Sequence, residues 1–360
     1  MENNKMRVCA VTAVKEAKIL TIPLPDVCDD EVLVRIHDCA LCTFEQRIFT
    51  GEKKVPFPNV GGHEVAGSIA KLGKSVDSKW KVGQKVALRT FTRCNECHYC
   101  HTGEDTMCNG FVDHHQQIPG VEGIGGLSEY FICKPSMLFP LDDHVDLINA
   151  CLIEPLSCVL HSIDSAKIDF GDTVVVVGSG IMGLLHVQLA KLRGARVIMV
   201  DPNQVRLDKS LAFGVDHKIN PINEDLVAKI KEITDGMGAD VIIYTPPVTK
   251  LVSDYLKVCA KGARFVLYGS FHPDEPASIT LNQIHYNQIQ LIGVVNPGTR
   301  DFERAVRMVN YNLIDLSKYV DEVYSIEQVQ DAYLSATAGG KYRVVISLVS
   351  NALKPMSALI

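Results

Sequence analysis

The 360-residue chain has a single tryptophan, only 7% aromatic residues and no strong excess of charge, its formal net charge being -6. No run of basic residues with interleaved aromatics occurs, so neither a nucleic-acid partner nor an anionic lipid surface is expected. No apolar stretch approaches the roughly eighteen residues that a membrane span requires, so no membrane is expected either. The opening MENNKMRVCAV lacks the charged-then-apolar layout of a secretory signal, and a cytoplasmic location is expected. Internal repeats and low-complexity linkers are also missing. What remains is ordinary globular composition, 47% hydrophobic and 22% charged, enough for one large or two ordinary domains. The chain also has twelve cysteines. Disulfide scaffolds are usually small and secreted, so clustered cysteines in a chain of this length point to metal binding or chemistry.

Four of the cysteines lie in RCNECHYCHTGEDTMC. Cys94, Cys97, Cys100 and Cys108 follow the spacing C-x2-C-x2-C-x7-C. Four thiolates on a short loop can surround one Zn2+ tetrahedrally, with Zn–S bonds of about 2.3 Å. Four soft anionic ligands leave no open position, so this site reads as structural. The residues around them are polar and poor in core formers, so the metal must supply much of the local folding energy. Scattered free thiols and an iron–sulfur cluster are the competing readings.

From Asp172 the texture changes to DTVVVVGSGIMGLLHVQLAKLRGARVIMVD. Thr173–Val177 is apolar and β-branched, as a buried parallel strand requires. Gly178, Gly180 and Gly183 then form G-x-G-x-x-G, which permits a tight turn, backbone approach to a pyrophosphate and close helix–strand packing. A helix over Leu184–Leu192 would present its N-terminus to the phosphates. The strand Arg196–Val200 ends in Asp201, about twenty positions on, where an acid can accept hydrogen bonds from the adenosine ribose. That carboxylate repels a 2′-phosphate and favours NAD over NADP. Helices over Asn203–Phe213, Asn223–Thr234 and Val248–Ala260 alternate with strands at Asp216–Ile219, Ala239–Thr245, Ala263–Tyr268 and Ile289–Val295. Six strands with intervening helices predict an α/β doubly wound parallel sheet.

The first 150 residues contain short apolar runs separated by glycine and proline, including Glu31–Ile36, Val65–Ala70 and Lys85–Leu88, and predict a β-rich, barrel-like domain. Asn296–Val349, with a helical pattern at Arg300–Tyr311 and a strand pattern at Arg343–Val349, is expected to return to it. Three further places offer metal ligands: Cys42 in DCALCTFEQRIFTG, His63 and Glu64 in NVGGHEVAG, and Glu154 in CLIEPLSC. A cysteine, a histidine and a carboxylate can hold Zn2+ with one position open for water or substrate. Taken singly, each has a plain alternative: a buried apolar cysteine, a solvated glutamate, a helix start at Glu154–Pro155.

The order of these features resembles the zinc-containing medium-chain dehydrogenase/reductase family, which includes alcohol, sorbitol and threonine dehydrogenases. It runs from Cys42 through His63–Glu64, the four-cysteine lobe and Glu154–Pro155 to the glycine motif with Asp201. The resemblance covers roughly residues 7–349, and Glu64 with Glu154-Pro-Leu is similar to the polyol and threonine dehydrogenase branch. It implies a Rossmann domain over 154–295 and a GroES-like barrel catalytic domain over 1–153. The zinc lobe would span about 93–109, with a return and C-terminal tail at 296–360. It implies two Zn2+ ions, one structural and one catalytic. Cys42 and His63 would be catalytic ligands, with Glu64 or Glu154 as the third. NAD would be contacted by Met182, Asp201, Arg206, Tyr268, Gly269, Ser270, Val295 and Asn296.

The sequence departs from the family pattern at one point. The usual motif is Cys-Gly-Ser/Thr-Asp, whose hydroxyl relays the alcohol proton. Here Cys42-Thr43-Phe44-Glu45 places Phe44 at the hydroxyl position, where no relay is possible. A zinc-bound water, Glu64 or Glu154 is left to take the proton. The run Glu45-Gln46-Arg47 is similar to the Asp-Gln-Arg of ribitol-5-phosphate dehydrogenases. Arg47 is then either a clamp for phosphate or carboxylate or a plain surface arginine. Asn296 replaces an arginine of sorbitol dehydrogenases, which speaks against sorbitol itself. The expected function is hydride transfer between NAD and a secondary alcohol, a polyol or sugar alcohol, reversible to the ketone, in a homodimer or homotetramer. Threonine 3-dehydrogenase and polyol-phosphate dehydrogenase are the alternatives within the class. A non-catalytic NAD- and zinc-binding redox sensor is the alternative outside it.

Overall fold

A computed structural model describes residues 5–110, 112–113 and 120–349; the C-terminal tail beyond 349 lies outside them. The chain divides into two compact units, Met1–Ser157 with Gly298–Ile360, and Cys158–Pro297.

The first unit is built on a seven-stranded sheet. Its main path runs through Val320–Ser325, Arg343–Ser347, Val32–Ala40, Glu64–Leu72, Lys85–Leu88 and Leu138–Pro140, and Tyr130–Cys133 also pairs with Val32–Ala40. Alternation sends Val32, Val34 and Ile36 into a core shared with Val86, Leu88 and Phe131, as the period-two geometry of a strand dictates. The helix Val329–Thr337 closes this core, with Tyr333 stacked on Phe49 at 4.9 Å. An antiparallel pair, Lys5–Ala13 with Glu16–Pro23, adds Val8 and Val11 to the same core.

The second unit is a six-stranded, wholly parallel sheet. Its spatial order is His217–Ile219, Arg196–Val200, Thr173–Val177, Ala239–Tyr244, Cys259–Leu267 and Gln290–Gly293. In sequence terms this is 3-2-1-4-5-6, the Rossmann order, whose reversal lies at the C-terminal ends of Thr173–Val177 and Ala239–Tyr244. Every residue of Thr173–Val177 is buried, which is why the strand carries no polar alternation.

One segment differs from its sequence pattern. The helix expected over Val248–Ala260 is only a 3-10 turn at Thr249–Leu251 and a helix at Val252–Leu256. A strand starts at Cys259 and continues to Leu267 through Gly262, whose φ is +76°. Cys259 pairs with Ala239, and the register shifts before Arg264 pairs with Val241. Pairing with a central strand outweighs local helix preference here. No helix among the described residues is long and apolar enough to cross a membrane.

Candidate active site

Strand pairing brings the first ligand group together. Ala40 pairs with Glu64 on one side and with Val345 on the other, and the Leu41 N–H donates to the Val344 carbonyl at 2.9 Å. The chain leaving Ala40 therefore places Cys42 between the start of the Glu64 strand and the start of the Arg343 strand. Cys42 is the extended N-cap of the helix Thr43–Thr50. Its sulfur and ligand atoms of His63 and Glu64 all lie within 4.8 Å of one another. Gly62 sits at φ +95°, and a Cβ there would meet the Leu127 nitrogen at 2.5 Å. Only glycine allows the backbone to deliver His63 at this point.

The surrounding groups fix these side chains. Glu45, one turn into the helix and 1% exposed, accepts from the Gly62 N–H and from His63 Nδ1, both at 2.9 Å. With Nδ1 so engaged, Nε2 is the nitrogen left for a metal. Burial pulls the imidazole down, but the Glu45 and Cys42 charges override it and hold His63 well above its ordinary value. Burial pushes Glu45 up, while His63 and the Gly62 N–H outweigh it and hold the carboxylate low. Glu64 is fully buried and meets Arg343 in a two-pronged pair, Nη2–Oε1 2.7 Å and Nε–Oε2 2.9 Å. The same Arg343 Nη2 donates to Cys42 Sγ at 3.8 Å. Burial disfavours the Arg343 charge, yet Glu64 and Cys42 keep its pKa above the ordinary value. Glu154, at the start of the helix Ile153–Ser165, is 7% exposed and close enough to Arg343 to act on its charge, but it is not part of the three-ligand group. Phe44 stands edge-on to His63 at 5.8 Å and Phe91 flanks the ring at 5.7 Å, so the imidazole sits between aromatic walls. Thr43 is exposed.

Cys94, Cys97, Cys100 and Cys108 form the second group, again with their sulfurs within 4.8 Å of one another. A tetrahedron with Zn–S bonds of about 2.3 Å has edges of about 3.8 Å. The Cys94–Cys100 and Cys94–Cys108 separations are 3.9 and 3.4 Å. Backbone N–H groups of Cys97 and Cys94 point at the Cys94 and Cys108 sulfurs, at 3.4 and 3.3 Å. All twelve cysteines are free thiols. The donor sets thus fit one closed and one open zinc site.

The glycine turn follows Thr173–Val177 at the reversal point of the parallel sheet. Gly178 has φ +93°, and a Cβ on Gly183 would lie 1.8 Å from the Gly178 carbonyl oxygen. The helix Ile181–Leu192 can approach the strand only because position 183 has no side chain. A Cβ on Gly180 would meet nothing within 4 Å, which is the open face a pyrophosphate needs. Asp201 Oδ2 accepts from the Ser179 N–H and hydroxyl at 2.7 and 2.8 Å, and Oδ1 from the Asn203 N–H at 2.7 Å. The carboxylate is thereby locked beside the turn. Arg206 Nε is buried without a hydrogen-bond partner among the described residues. The Met182 carbonyl accepts from His186 Nδ1 at 2.7 Å, and the same imidazole makes a T-shaped contact with Tyr268, with centroids 4.6 Å apart. Tyr268 and Gly269 donate their N–H groups to the Tyr244 carbonyl at 3.1 and 3.2 Å. Ser270 Oγ lies 2.9 Å from His272 Nε2. Val295 is exposed and Asn296 has φ +53°.

Sequence reasoning missed Arg343, His186, Ser179 and the orienting part played by Glu45. For Glu45 a signal was present, a carboxylate one helical turn after a ligand cysteine. For Arg343, nearly three hundred residues from Glu64, there was none.

The Alcohol dehydrogenase GroES-like domain model matches residues 28–143, and the Zinc-binding dehydrogenase model matches 182–310. A sorbitol dehydrogenase of Bacillus subtilis is 30% identical over 91% of this chain and 92% of its own length. A D-arabitol-phosphate dehydrogenase of Enterococcus avium is 28% identical over 91% and 92%. Galactitol-1-phosphate dehydrogenase from Escherichia coli shares the fold, with a TM-score of 0.83 at 22% identity, over 95% of this chain and 100% of that one.

Proposed function

Because the chain belongs to the zinc-binding dehydrogenases of the medium-chain family, we propose that it oxidises a secondary alcohol of a polyol or sugar alcohol with NAD, reversibly to the ketone. The observation that carries this reading is the Cys42–His63–Glu64 group, with His63 and Glu64 buried, set by Glu45 on one side and Arg343 on the other. Bound there, Zn2+ would polarise the substrate hydroxyl and ease its ionisation, and NAD would accept the hydride. Cys42 and His63 hold the ion. Both Glu64 oxygens accept from Arg343, so that carboxylate is already engaged on both sides. Glu154, buried and near enough to Arg343 to act on its charge, takes the alcohol proton that Phe44 cannot relay. Asp201 holds the adenosine ribose and repels a 2′-phosphate, and Gly178, Gly180 and Gly183 leave room for the pyrophosphate. The four-cysteine lobe holds a second, structural Zn2+.

A homo-oligomer fits the exposed edge of the parallel sheet. Leu291 on the edge strand Gln290–Gly293, with Leu281, Tyr286 and Val295 nearby in sequence, is exposed. Such edges are normally covered or paired.

The test is nicotinamide reduction by zinc-loaded protein with polyols, polyol phosphates and threonine, each with NAD and NADP. Turnover of a polyol with NAD supports the reading. Turnover of threonine alone replaces it with threonine 3-dehydrogenase, and none with any alcohol favours the redox-sensor reading. The carboxylate roles are separated by zinc content. Glu154→Gln is expected to keep two zinc ions per chain and lose turnover. If zinc is lost instead, Glu154 is the third ligand.

A further inference from the structure

We infer that the substrate carries an anionic end, a phosphate or a carboxylate, and that Lys53 with Arg47 binds it. This rests on the dehydrogenase reading of the Cys42–His63 site.

The helix Thr43–Thr50 starts at a metal-ligand candidate and ends at Gly51, whose φ of +81° turns the chain back. The Lys53 N–H then donates to the Arg47 carbonyl at 2.9 Å, which folds the segment after the helix against its last turn. The result places Lys53 Nζ 3.8 Å from the centroid of Phe44, over the ring face. The same ring meets His63 in a T-shaped contact, with centroids 5.8 Å apart and an interplanar angle of 88°. One aromatic ring therefore separates an ammonium group from the imidazole of the catalytic site.

Lys53 is a partly exposed residue, and its ammonium has no carboxylate partner among the described residues. Arg47 lies one helical turn beyond Phe44, on the same side of the helix. Its nearest acid is Glu52, whose Oε2 is 3.7 Å from Arg47 Nε and two-thirds exposed. That separation is too long for a hydrogen bond, and a solvated pair of this kind contributes little. Lys53 over the Phe44 ring and Arg47 on the Phe44 helix thus have one loosely held anion, Glu52, among them. The ring face holds the ammonium in place without neutralising it, so its charge is available to a ligand. A neutral polyol would make little use of this arrangement. A phosphate or carboxylate at the far end of a short sugar-alcohol chain would satisfy both cations, by charge-assisted bonds. Phe44 then has a role in place of the hydroxyl it replaces: it is the platform that fixes the anion-binding lysine at a set distance from His63.

The test is a ratio of kcat/KM values within one enzyme preparation, so that the active fraction cancels. The substrates are a pentitol phosphate, the pentonate and the neutral pentitol. The wild type is expected to prefer an anionic substrate at least tenfold over the neutral one. Lys53→Met should lower that ratio at least tenfold, through the KM of the anionic substrate. Lys53→Arg, which can also stack on the ring and carry the charge, should restore most of it. Arg47→Met should lower it less. Preference for the phosphate or for the pentonate identifies which anion the site takes. A wild type that turns over all three equally, or a ratio unmoved by Lys53→Met, overturns the inference and leaves the dehydrogenase reading standing. Silence with all three, in protein shown to hold zinc and NAD, overturns both.

Discussion

Glu45→Gln isolates the charge of the group that orients His63. Glutamine has the same shape, and its carbonyl oxygen can still accept from the Gly62 N–H and from His63 Nδ1, both now 2.9 Å from Oε1. What changes is that two bonds to a carboxylate become two bonds to a neutral amide. A hydrogen bond to a charged group is worth about 1 kcal/mol more than its neutral counterpart. Two of them, in a position only 1% exposed where water cannot compensate, give about 2 kcal/mol. Part of that loss falls on the basicity of Nε2, the nitrogen left to bind the ion. A zinc affinity lower by roughly 10- to 30-fold is expected, within the range seen when partners of ligand histidines are removed. The amide also places an N–H2 where Oε2 is now buried without a partner, so the folded state should lose about 1–3 kcal/mol as well. The assay is competition for zinc against a chelator of known affinity. The four-cysteine lobe serves as an internal reference, because among the described residues its cysteines form a group separate from the one Glu45 orients. The expected result is two classes of zinc, one weakened and one unchanged. Two unchanged classes would refute the reasoning, since Glu45 would then hold the loop without tuning the ligand.

Three further outcomes are expected. Asp201→Ala should weaken NAD use and raise the NADP-to-NAD ratio of kcat/KM, since one charge at about 6 Å from a 2′-phosphate costs about 3 kcal/mol at an effective dielectric of 20; an unchanged ratio would remove Asp201 from cofactor choice. Cys108→Ser should reduce bound zinc from two ions to one and make the Cys94–Cys108 segment protease-sensitive, checked by metal analysis and limited digestion. Full zinc content in that variant would mean that the lobe is not a zinc site. His186 is fully buried, donates to the Met182 carbonyl from Nδ1 and lies 2.8 Å from Ser162 Oγ at Nε2. Burial lowers its pKa from 6.5 to about 4. Between those values the unfolded chain binds the proton and the folded one does not, so stability is intact above pH 6.5 and falls toward pH 4, by about 3 kcal/mol in all. In denaturant unfolding, His186→Leu should flatten that slope relative to the wild type; equal slopes would show that His186 does not set it.

Legibility in the sequence followed the range over which each feature is specified. The four-cysteine lobe could be read because all four ligands lie within fifteen residues. The parallel sheet could be read because strands and helices alternate locally along the sequence, and Thr173–Val177 declares its burial on both faces by an unbroken β-branched run, TVVVV. The misread segment, Val248–Ala260, has a pattern that suits a helix locally. Its second half becomes a strand because Cys259 finds Ala239 as a partner, and that contact is not written in the segment itself.

The candidate active site shows the same division within a few ångströms. Cys42, His63, Glu64 and Glu154 are recognisable as residue types that bind metal. What distinguishes the two carboxylates is Arg343, whose guanidinium takes both oxygens of Glu64. No ligand-like feature marks that arginine, and it reaches the site only because its strand pairs beside Ala40. Ligand identity is a local property of side-chain chemistry. The state of each ligand, ionised or proton-accepting, fixed or free to move, depends on neighbours supplied by sheet topology. The departure at Phe44 illustrates the point: read alone it is a lost hydroxyl, whereas in the fold it joins His63 to Lys53. Sequence can therefore name the reaction class from its ligands, while substrate choice has to be read from the side chains that the fold places around them.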